Sequence, residues 1–330
     1  MLPTLQERCH TLMVELGLIE PQDALTATAL TGGVASDIAH VQAADRDFCV
    51  KFALPKLRVQ ADWYAPVERN LAEYRWLETY ARIDPEGAIP LFGHSASLNG
   101  FVMGYLSGPN TYLLKSALFD GKGTRQDAHN IGRILGRIHQ ISTESQFDAT
   151  PFDNRGNFYD LRIEPYLIHT AKSHEAAADK LTEMADLLYQ SKQVLVHGDV
   201  SPKNILIHDG RPYLLDAECA TMGDASFDVS FCLNHFILKA LHVQSHREDY
   251  FGLCDSFWQA YKAEIDFEDI TSLERRISQL IPMLLLARVD GKSPVEYLTQ
   301  KTSAEIRRIA LSAINDQPST ILQLIKLLQE

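Results

Sequence analysis

The 330-residue chain is poor in the features that mark exported, metal-fingered or membrane-embedded proteins. Its five cysteines (Cys9, Cys49, Cys219, Cys232, Cys254) form no C-x-x-C pair and no finger spacing, so neither a disulfide framework nor a structural zinc site is indicated. Reduced thiols fit best. Long apolar runs are missing as well: the longest, LIPMLLLA at 280–287, is under half of the roughly 18 residues a membrane span needs, and it contains Pro282. Glu7 and Arg8 interrupt the segment where a signal peptide carries its apolar core, and Leu5, Leu12 and Leu16 read instead as one side of an amphipathic helix. The expectation is a cytoplasmic protein without a membrane partner. Basic charge is also short. With 31 Lys+Arg against 43 Asp+Glu the net charge is -12, which repels a phosphate backbone, disfavours nucleic acid and attracts a small cation.

What is present is ordinary for a folded chain: 45% hydrophobic and 22% charged residues, at a length that suggests two domains. The boundary is expected near residue 107, giving units 1–107 and 108–330. In the first unit Val41, Phe48, Val50 and Phe52 alternate with polar or small residues around AADRD at 43–47, a β-hairpin pattern, preceded by the flexible connection TGGVAS. Leu71, Tyr74, Leu77 and Ala81 then recur at helical steps between Trp63 and Arg82. AIPLFGH and GFVMGYLSGP read as two more short strands. Beyond them the texture is mostly helical, with an apolar stripe at Ile131, Ile134, Leu135, Ile138 and Ile141 and a helix apolar nearly all round at 229–241. Two brief strand segments, QVLVHG and NILIHDGRPYLLDAE, interrupt it.

Between those strands lies LVHGDVSPKNILI (195–207), an apolar stretch broken by a polar knot. Asp199 and Asn204 stand five apart in a loop and can converge, and Asp216 follows at the end of the next hairpin. Asn204 and Asp216 suit a hard divalent cation such as Mg²⁺, which takes one or two protein ligands and completes its shell with water and phosphates. Asp199 is then left to accept a proton from a hydroxyl. That division of labour is phosphoryl transfer.

His197-x-Asp199-x4-Asn204 followed by Asp216 matches the kinase pattern H-x-D-x4-N with a downstream metal Asp. HGDVSPKN together with LLDAE resembles the aminoglycoside phosphotransferase and choline kinase family. The resemblance implies an α+β, protein kinase-like two-lobe fold, with a small N-terminal lobe built on an antiparallel sheet and a larger, mostly helical C-terminal lobe. It implies ATP and Mg²⁺ as cofactors, with Asp199 as the catalytic base and Asn204, Asp216 and possible third ligand Glu218 at the metal. Asp228 would brace the catalytic loop, while His197 and His139 are read as structural. In the N-terminal lobe Gly32, Gly33 and Ser36 would cover the phosphates, Lys51 would clamp them, and Glu73, or alternatively Glu68, would pair with Lys51. Gly104–Leu106 would face adenine, with Met103 and Tyr105 beside it.

Two G-K pairs, in DGKGT (120–124) and DGKSP (290–294), are not Walker loops, because Ser116 and Leu286 stand where that loop needs its first glycine. Only eleven residues separate Asp216 from Asp228, and no A-P-E follows, so a peptide-docking activation segment does not fit. The expected function is transfer of the γ-phosphate of ATP to a small hydroxylated compound such as an amino sugar, sugar or amino alcohol. A non-catalytic nucleotide-binding regulator or, less well, a protein kinase are the alternatives. Arg162, Tyr166 and Arg288 are candidate acceptor contacts. Oligomeric state is not readable from the sequence.

Overall fold

The computed structural model describes residues 3–30, 35–58 and 64–329. The chain divides into two compact units, Met1–Pro109 and Asn110–Glu330.

In the first unit α1 (Leu5–Glu15) opens on a capping box, in which Thr4 and Glu7 exchange side-chain and backbone hydrogen bonds. It buries Cys9, Leu12 and Met13 against a five-stranded antiparallel sheet of order β1-β2-β3-β5-β4. The strands are β1 (Thr26–Ala29), β2 (Ser36–Ala43), β3 (Arg46–Ala53), β4 (Leu91–Ser95) and β5 (Gly100–Gly104). Ala44 and Asp45 turn the β2–β3 hairpin with positive φ. β1 was not expected; TATA lacks the apolar alternation that announces a strand, and its burial pattern is mostly exposed. Helix α2 (Arg69–Ile83) starts later than its periodicity suggests, and Trp63 lies outside the described residues. Arg69 anchors that start: its guanidinium donates to the carbonyls of Ala65, Pro66, Ala35 and Leu54.

The second unit begins with β6 (Thr111–Leu113), α3 (Leu114–Phe119) and α4 (Arg125–Ser142). A continuous helical segment follows: α5 (Arg155–Phe158), a π-helix (Tyr159–Ile168) containing Pro165, and α6 (His169–Ala171). After α7 (Glu175–Gln190) come β7 (Val194–Val196), β8 (Ile205–His208), β9 (Arg211–Leu214) and β10 (Thr221–Gly223). β7 pairs with β10, and β8 sits between β6 and β9, so two small antiparallel sheets flank residues 197–204. Helices α8 (Ala225–His242), α9 (Arg247–Lys262), α10 (Ile270–Asp290), α11 (Gln300–Asp316) and α12 (Ile321–Gln329) complete the unit.

The core is centred on α8, which is buried along almost its whole length and packs against α9 and α10. Gly132 and Gly136 let α4 approach α9 closely, since a Cβ on Gly132 would overlap the carbonyl oxygen of Phe257 and one on Gly136 would come within 2.8 Å of that of Tyr261. No described helix is long and apolar enough to cross a membrane.

Candidate active site

The polar loop is held from below by one buried carboxylate. Asp228, in the first turn of α8, accepts from the backbone N–H of His197 at 2.6 Å and of Gly198 at 2.9 Å. His139 of α4 approaches the same carboxylate at 3.4 Å and is itself fixed by the Tyr261 hydroxyl at 2.8 Å. Two otherwise orphaned donors are thereby satisfied inside the protein, where leaving each unpaired costs about 1–3 kcal/mol. The brace expected at Asp228 is present in this geometry.

The chain reverses at Gly198 with φ +83°, and a Cβ there would sit 2.8 Å from the Cβ of Cys219. Only glycine satisfies both the left-handed backbone and the close approach. His197 then turns back on the loop, its Nδ1 accepting the N–H of Asp199 at 3.1 Å. Burial lowers the imidazole pKa, and the neutral ring with its proton on Nε2 fits this bond. His197 is a strut, as read from the sequence.

Asp199 itself is buried and bracketed by cations: Arg162 Nη2 at 3.0 Å and Lys203 Nζ at 3.3 Å. Burial alone would raise the carboxyl pKa, but Lys203 and Arg162 outweigh it and hold Asp199 well below the usual carboxylate range. The same Arg162 donates from Nε to the Gly198 carbonyl and from Nη1 to its own helix at Leu161. Arg162, expected to reach for the acceptor, is therefore committed to the loop at Gly198 and Asp199. It gets there from the π-helix, a segment whose looser winding accommodates Pro165 and redirects the side chains around it. Lys203 was missed from the sequence; four residues past Asp199, it only meets that residue because 202–204 form a short 3₁₀ turn.

Asn204 is also buried, and its Nδ2 donates to the backbone carbonyl of Asp199 at 3.2 Å, which leaves the carboxamide oxygen out of that bond. Asp216, two residues beyond β9, has φ +67°. A non-glycine residue in this region costs of order 1–3 kcal/mol and persists where the surroundings enforce it, a property concentrated at functional sites. Glu218 is buried in the turn that follows. Among the described residues no group of three or more His, Cys, Asp or Glu is placed to hold a metal by itself. That donor set fits Mg²⁺ better than a cation needing a closed protein cage, because Mg²⁺ relies on water and phosphate for most of its shell.

In the first unit, Lys51 of β3 pairs with Glu73 of α2 at 2.5 Å, and both side chains are only 2% exposed. Glu68 is exposed just before α2 and is not the partner shown for Lys51. Ser36 is buried at the start of β2, opposite Ala53. Met103 is buried in β5 between Cys49 and Leu91, and Tyr105 stacks on His40 at 4.0 Å between ring centres. The N–H of Gly104 is committed to the Pro90 carbonyl at 2.8 Å. Gly32 and Gly33 lie outside the described residues.

The chain is similar to known proteins in sequence and in fold. A model of the phosphotransferase enzyme family matches residues 26–250. The methylthioribose kinase of Pectobacterium atrosepticum is 24% identical over 327 residues, covering 90% of this chain and 79% of that protein. Other methylthioribose kinases, from Pectobacterium carotovorum and Yersinia pseudotuberculosis, match over about half of their own length. In fold, the chain is similar to an ethanolamine kinase of Plasmodium vivax, with TM-score 0.58 and 14% identity over 96% of this chain and 91% of that one. It is also similar to an amicoumacin kinase solved with AMP-PNP and Ca²⁺, with TM-score 0.57 and 15% identity over 90% and 91%.

Proposed function

We propose, on the premise that this chain belongs to the phosphotransferase enzyme family and is an ATP-dependent kinase of small molecules, that Asp199 orients and deprotonates the acceptor hydroxyl. The observation that carries this reading is the placement of Asp199: a buried carboxylate on a loop pinned by Asp228, with Asn204 bonded to its backbone carbonyl. A carboxylate held so far below its usual pKa is always charged at neutral pH but is a weak proton acceptor. Its first contribution is therefore to aim the hydroxyl oxygen. It takes the proton late, as the new O–P bond forms, the bond between the γ-phosphorus and the β–γ bridging oxygen breaks, and ADP leaves.

Arg162 keeps Asp199 ionised and correctly turned, while Lys203 stands at its open side and meets the incoming phosphoryl oxygens. Asn204 and Asp216, with Glu218 as a third ligand, would hold Mg²⁺, which when bound would supply positive charge to offset that of the phosphates. Lys51, kept charged and straight by Glu73, contacts the α- and β-phosphates. Within the first unit Ser36 is assigned to the phosphates of the nucleotide and Met103 and Tyr105 to its adenine; Gly32 and Gly33, assigned with Ser36, lie outside the described residues.

Two features disfavour a peptide acceptor. From Asp216 the chain passes through one turn into β10, and Asp224 caps α8 by accepting the N–H of Ser226, so no platform separates the metal residue from the helix. Arg276 then ties Asp224 to Glu268, closing that corner.

The test is ADP release from ATP and Mg²⁺ in the presence of methylthioribose, choline, ethanolamine, aminoglycosides and simple sugars, repeated with Asp199→Asn. Acceptor-dependent release that falls by about 10²–10⁴-fold in the variant is expected, the usual worth of a positioned base. Release that is unchanged in Asp199→Asn refutes the assignment. Nucleotide binding without any turnover supports the non-catalytic regulator instead.

A further inference from the structure

Beside the catalytic loop, on α8 and α10, lies a second set of charges that the mechanism above does not use. Lys239 of α8 is 3% exposed, and its ammonium rests on two aromatic rings, 3.3 Å from the centre of Tyr297 and 3.6 Å from that of Phe119. It makes no hydrogen bond or ion pair among the described residues. His242, one turn further, packs edge-on to Phe119 and at 4.9 Å from Tyr297. Arg288 of α10 reaches the Tyr166 hydroxyl at 3.3 Å and Ser293 Oγ at 3.0 Å, but it meets no carboxylate, and its Nε is sealed without an acceptor. The hydroxyl of Tyr297 is likewise buried without a partner.

The charge of Arg288 reaches Lys239 and Tyr297, and contacts run from Arg288 toward the loop that carries Asp199, beginning with the Tyr166 ring 5.8 Å from its guanidinium. Ring contacts lead the same way: Tyr166 packs on Phe231, Phe231 on His235, and the guanidinium of Arg162 lies 6.0 Å from the Phe231 ring. Neighbouring carboxylates are already neutralised. Glu296 binds Lys115 at 2.8 Å, and Asp290 binds Arg307 at 2.6 Å and His174 at 2.9 Å. Asp199 is held between Arg162 and Lys203. The metal-side carboxylates Asp216 and Glu218 act on Lys203 and Arg162 and are not among the charges that act on Lys239.

A buried cation without a counter-charge is expensive, and the burden is relieved when an anion arrives. The ammonium shows that burden: burial first, then Lys115 and Arg288, lower its pKa to about 7 against the opposing pull of Glu296.

We infer that the acceptor alcohol carries an anionic oxygen group, carboxylate or phosphate, which Lys239 and Arg288 read while Asp199 receives the hydroxyl. The inference rests on the phosphotransferase reading and narrows its substrate class. It also reverses the expectation from net charge: the chain as a whole is acidic, at -12, but the field beside its base is positive. Cationic acceptors such as choline meet Lys239 and Arg288 as repulsion.

The experiment uses the full chain with ATP and Mg²⁺ and compares matched alcohols: glycerate and glycerol 3-phosphate against glycerol, gluconate against glucose, and choline and ethanolamine as cations. ADP release is expected with an anionic member and is expected to fall at least tenfold with its neutral counterpart. The carboxylate and phosphate members separately identify the anion. Lys239→Gln and Arg288→Gln are expected to raise KM for the anionic acceptor by about 10–100-fold with a smaller change in kcat, and Lys239→Arg to restore most of it. Nucleotide-induced thermal stabilisation verifies that each variant is folded. Release that favours neutral or cationic acceptors, or a KM that ignores both variants, overturns the inference and leaves the kinase assignment standing. Release with no acceptor in either panel overturns both.

Discussion

Charges on the two sides of Asp199 are treated in opposite ways. Below and behind it, every principal charge has its answer: Asp228 with two backbone donors and His139, and Asp199 with Arg162 and Lys203. Toward α8 and α10 the cations Lys239 and Arg288 face aromatic rings, hydroxyls and a carbonyl but no carboxylate. The paired side is finished without a ligand and is therefore rigid, as a group that must be aimed within tenths of an ångström needs to be. The unpaired side is left incomplete, and its incompleteness describes what binds there. Satisfied networks mark the chemistry that stays constant, while unsatisfied ones mark the specificity.

The largest effect expected from breaking the paired side is loss of Asp199 as a base, about 10²–10⁴-fold in turnover. The comparison sharpens what accompanies it. Asp199→Asn leaves Arg162 and Lys203 without their carboxylate, so the variant should also lose stability, whereas a base that stood alone would gain stability on neutralisation. Thermal unfolding of both proteins decides between these. An unchanged or raised Tm in Asp199→Asn would show that the two cations do not hold it.

Next in size is the buried Lys51–Glu73 pair of the first unit. Removing one member of a buried ion pair strands the other, at a cost of about 3–5 kcal/mol, whereas replacing both by apolar groups is often neutral. Lys51→Met should therefore be strongly destabilised, and Lys51→Met with Glu73→Leu should recover most of the loss while remaining inactive. Equal destabilisation of single and double variants in urea unfolding would show that the 2.5 Å contact is not a paired charge.

How much of this was legible in the sequence follows from the range over which each interaction acts. Asp199, Asn204 and Asp216 lie within eighteen residues, and the apolar strands around them are visible as such, so the polar loop between strands could be read directly. Asp228 was readable for the same reason. The Arg162 contact was not, because it joins residues 37 positions apart through a π-helix that periodicity at 3.6 cannot distinguish from an ordinary helix. β6 and β10 are three residues each, too short to carry any alternation. Glu73, preferred to Glu68 from the sequence, is the partner Lys51 meets, while the start of α2 that decides between them is fixed by the grip of Arg69 on four carbonyls, two of them in segments far from it in sequence. Lys239 gave no signal at all: within a helix apolar nearly all round, one lysine reads as an end that reaches solvent, and its aromatic cover comes from Phe119 and Tyr297, more than fifty residues away on either side.

A middle-sized effect belongs to the brace. Asp228→Asn retains the shape but offers one acceptor oxygen to two N–H donors and turns an amide N–H toward the other. The expected cost is about 1–3 kcal/mol, the penalty of one buried unsatisfied donor, with a fall in kcat that exceeds any change in KM for nucleotide. Conversely, a normal kcat in a destabilised Asp228→Asn would separate the brace from catalysis and make it a folding element only.

The smallest effect probes the unpaired side through stability rather than turnover. Lys239 has its pKa lowered to about 7 in the folded chain, from an ordinary value of 10.5, so between about pH 7 and 10 the unfolded chain binds more protons than the folded one. Stability contributed by this residue must then rise with pH across that window and be flat below it, where both states are protonated and the burial cost is fully felt. Lys239→Met removes the cost, so the variant should be more stable than the parent at pH 6.5, and the difference should shrink as pH approaches 10. Each tenfold change in proton affinity corresponds to about 1.4 kcal/mol, so an advantage of at least about 1 kcal/mol is expected for the variant at pH 6.5. The flanking Lys115, Glu296 and Arg288 remain in both proteins, so the difference between parent and variant isolates Lys239. If the advantage of Lys239→Met at pH 6.5 is absent, or does not decline with rising pH, the ammonium is not stranded in the resting chain, and the two sides of Asp199 are less different than their contacts indicate.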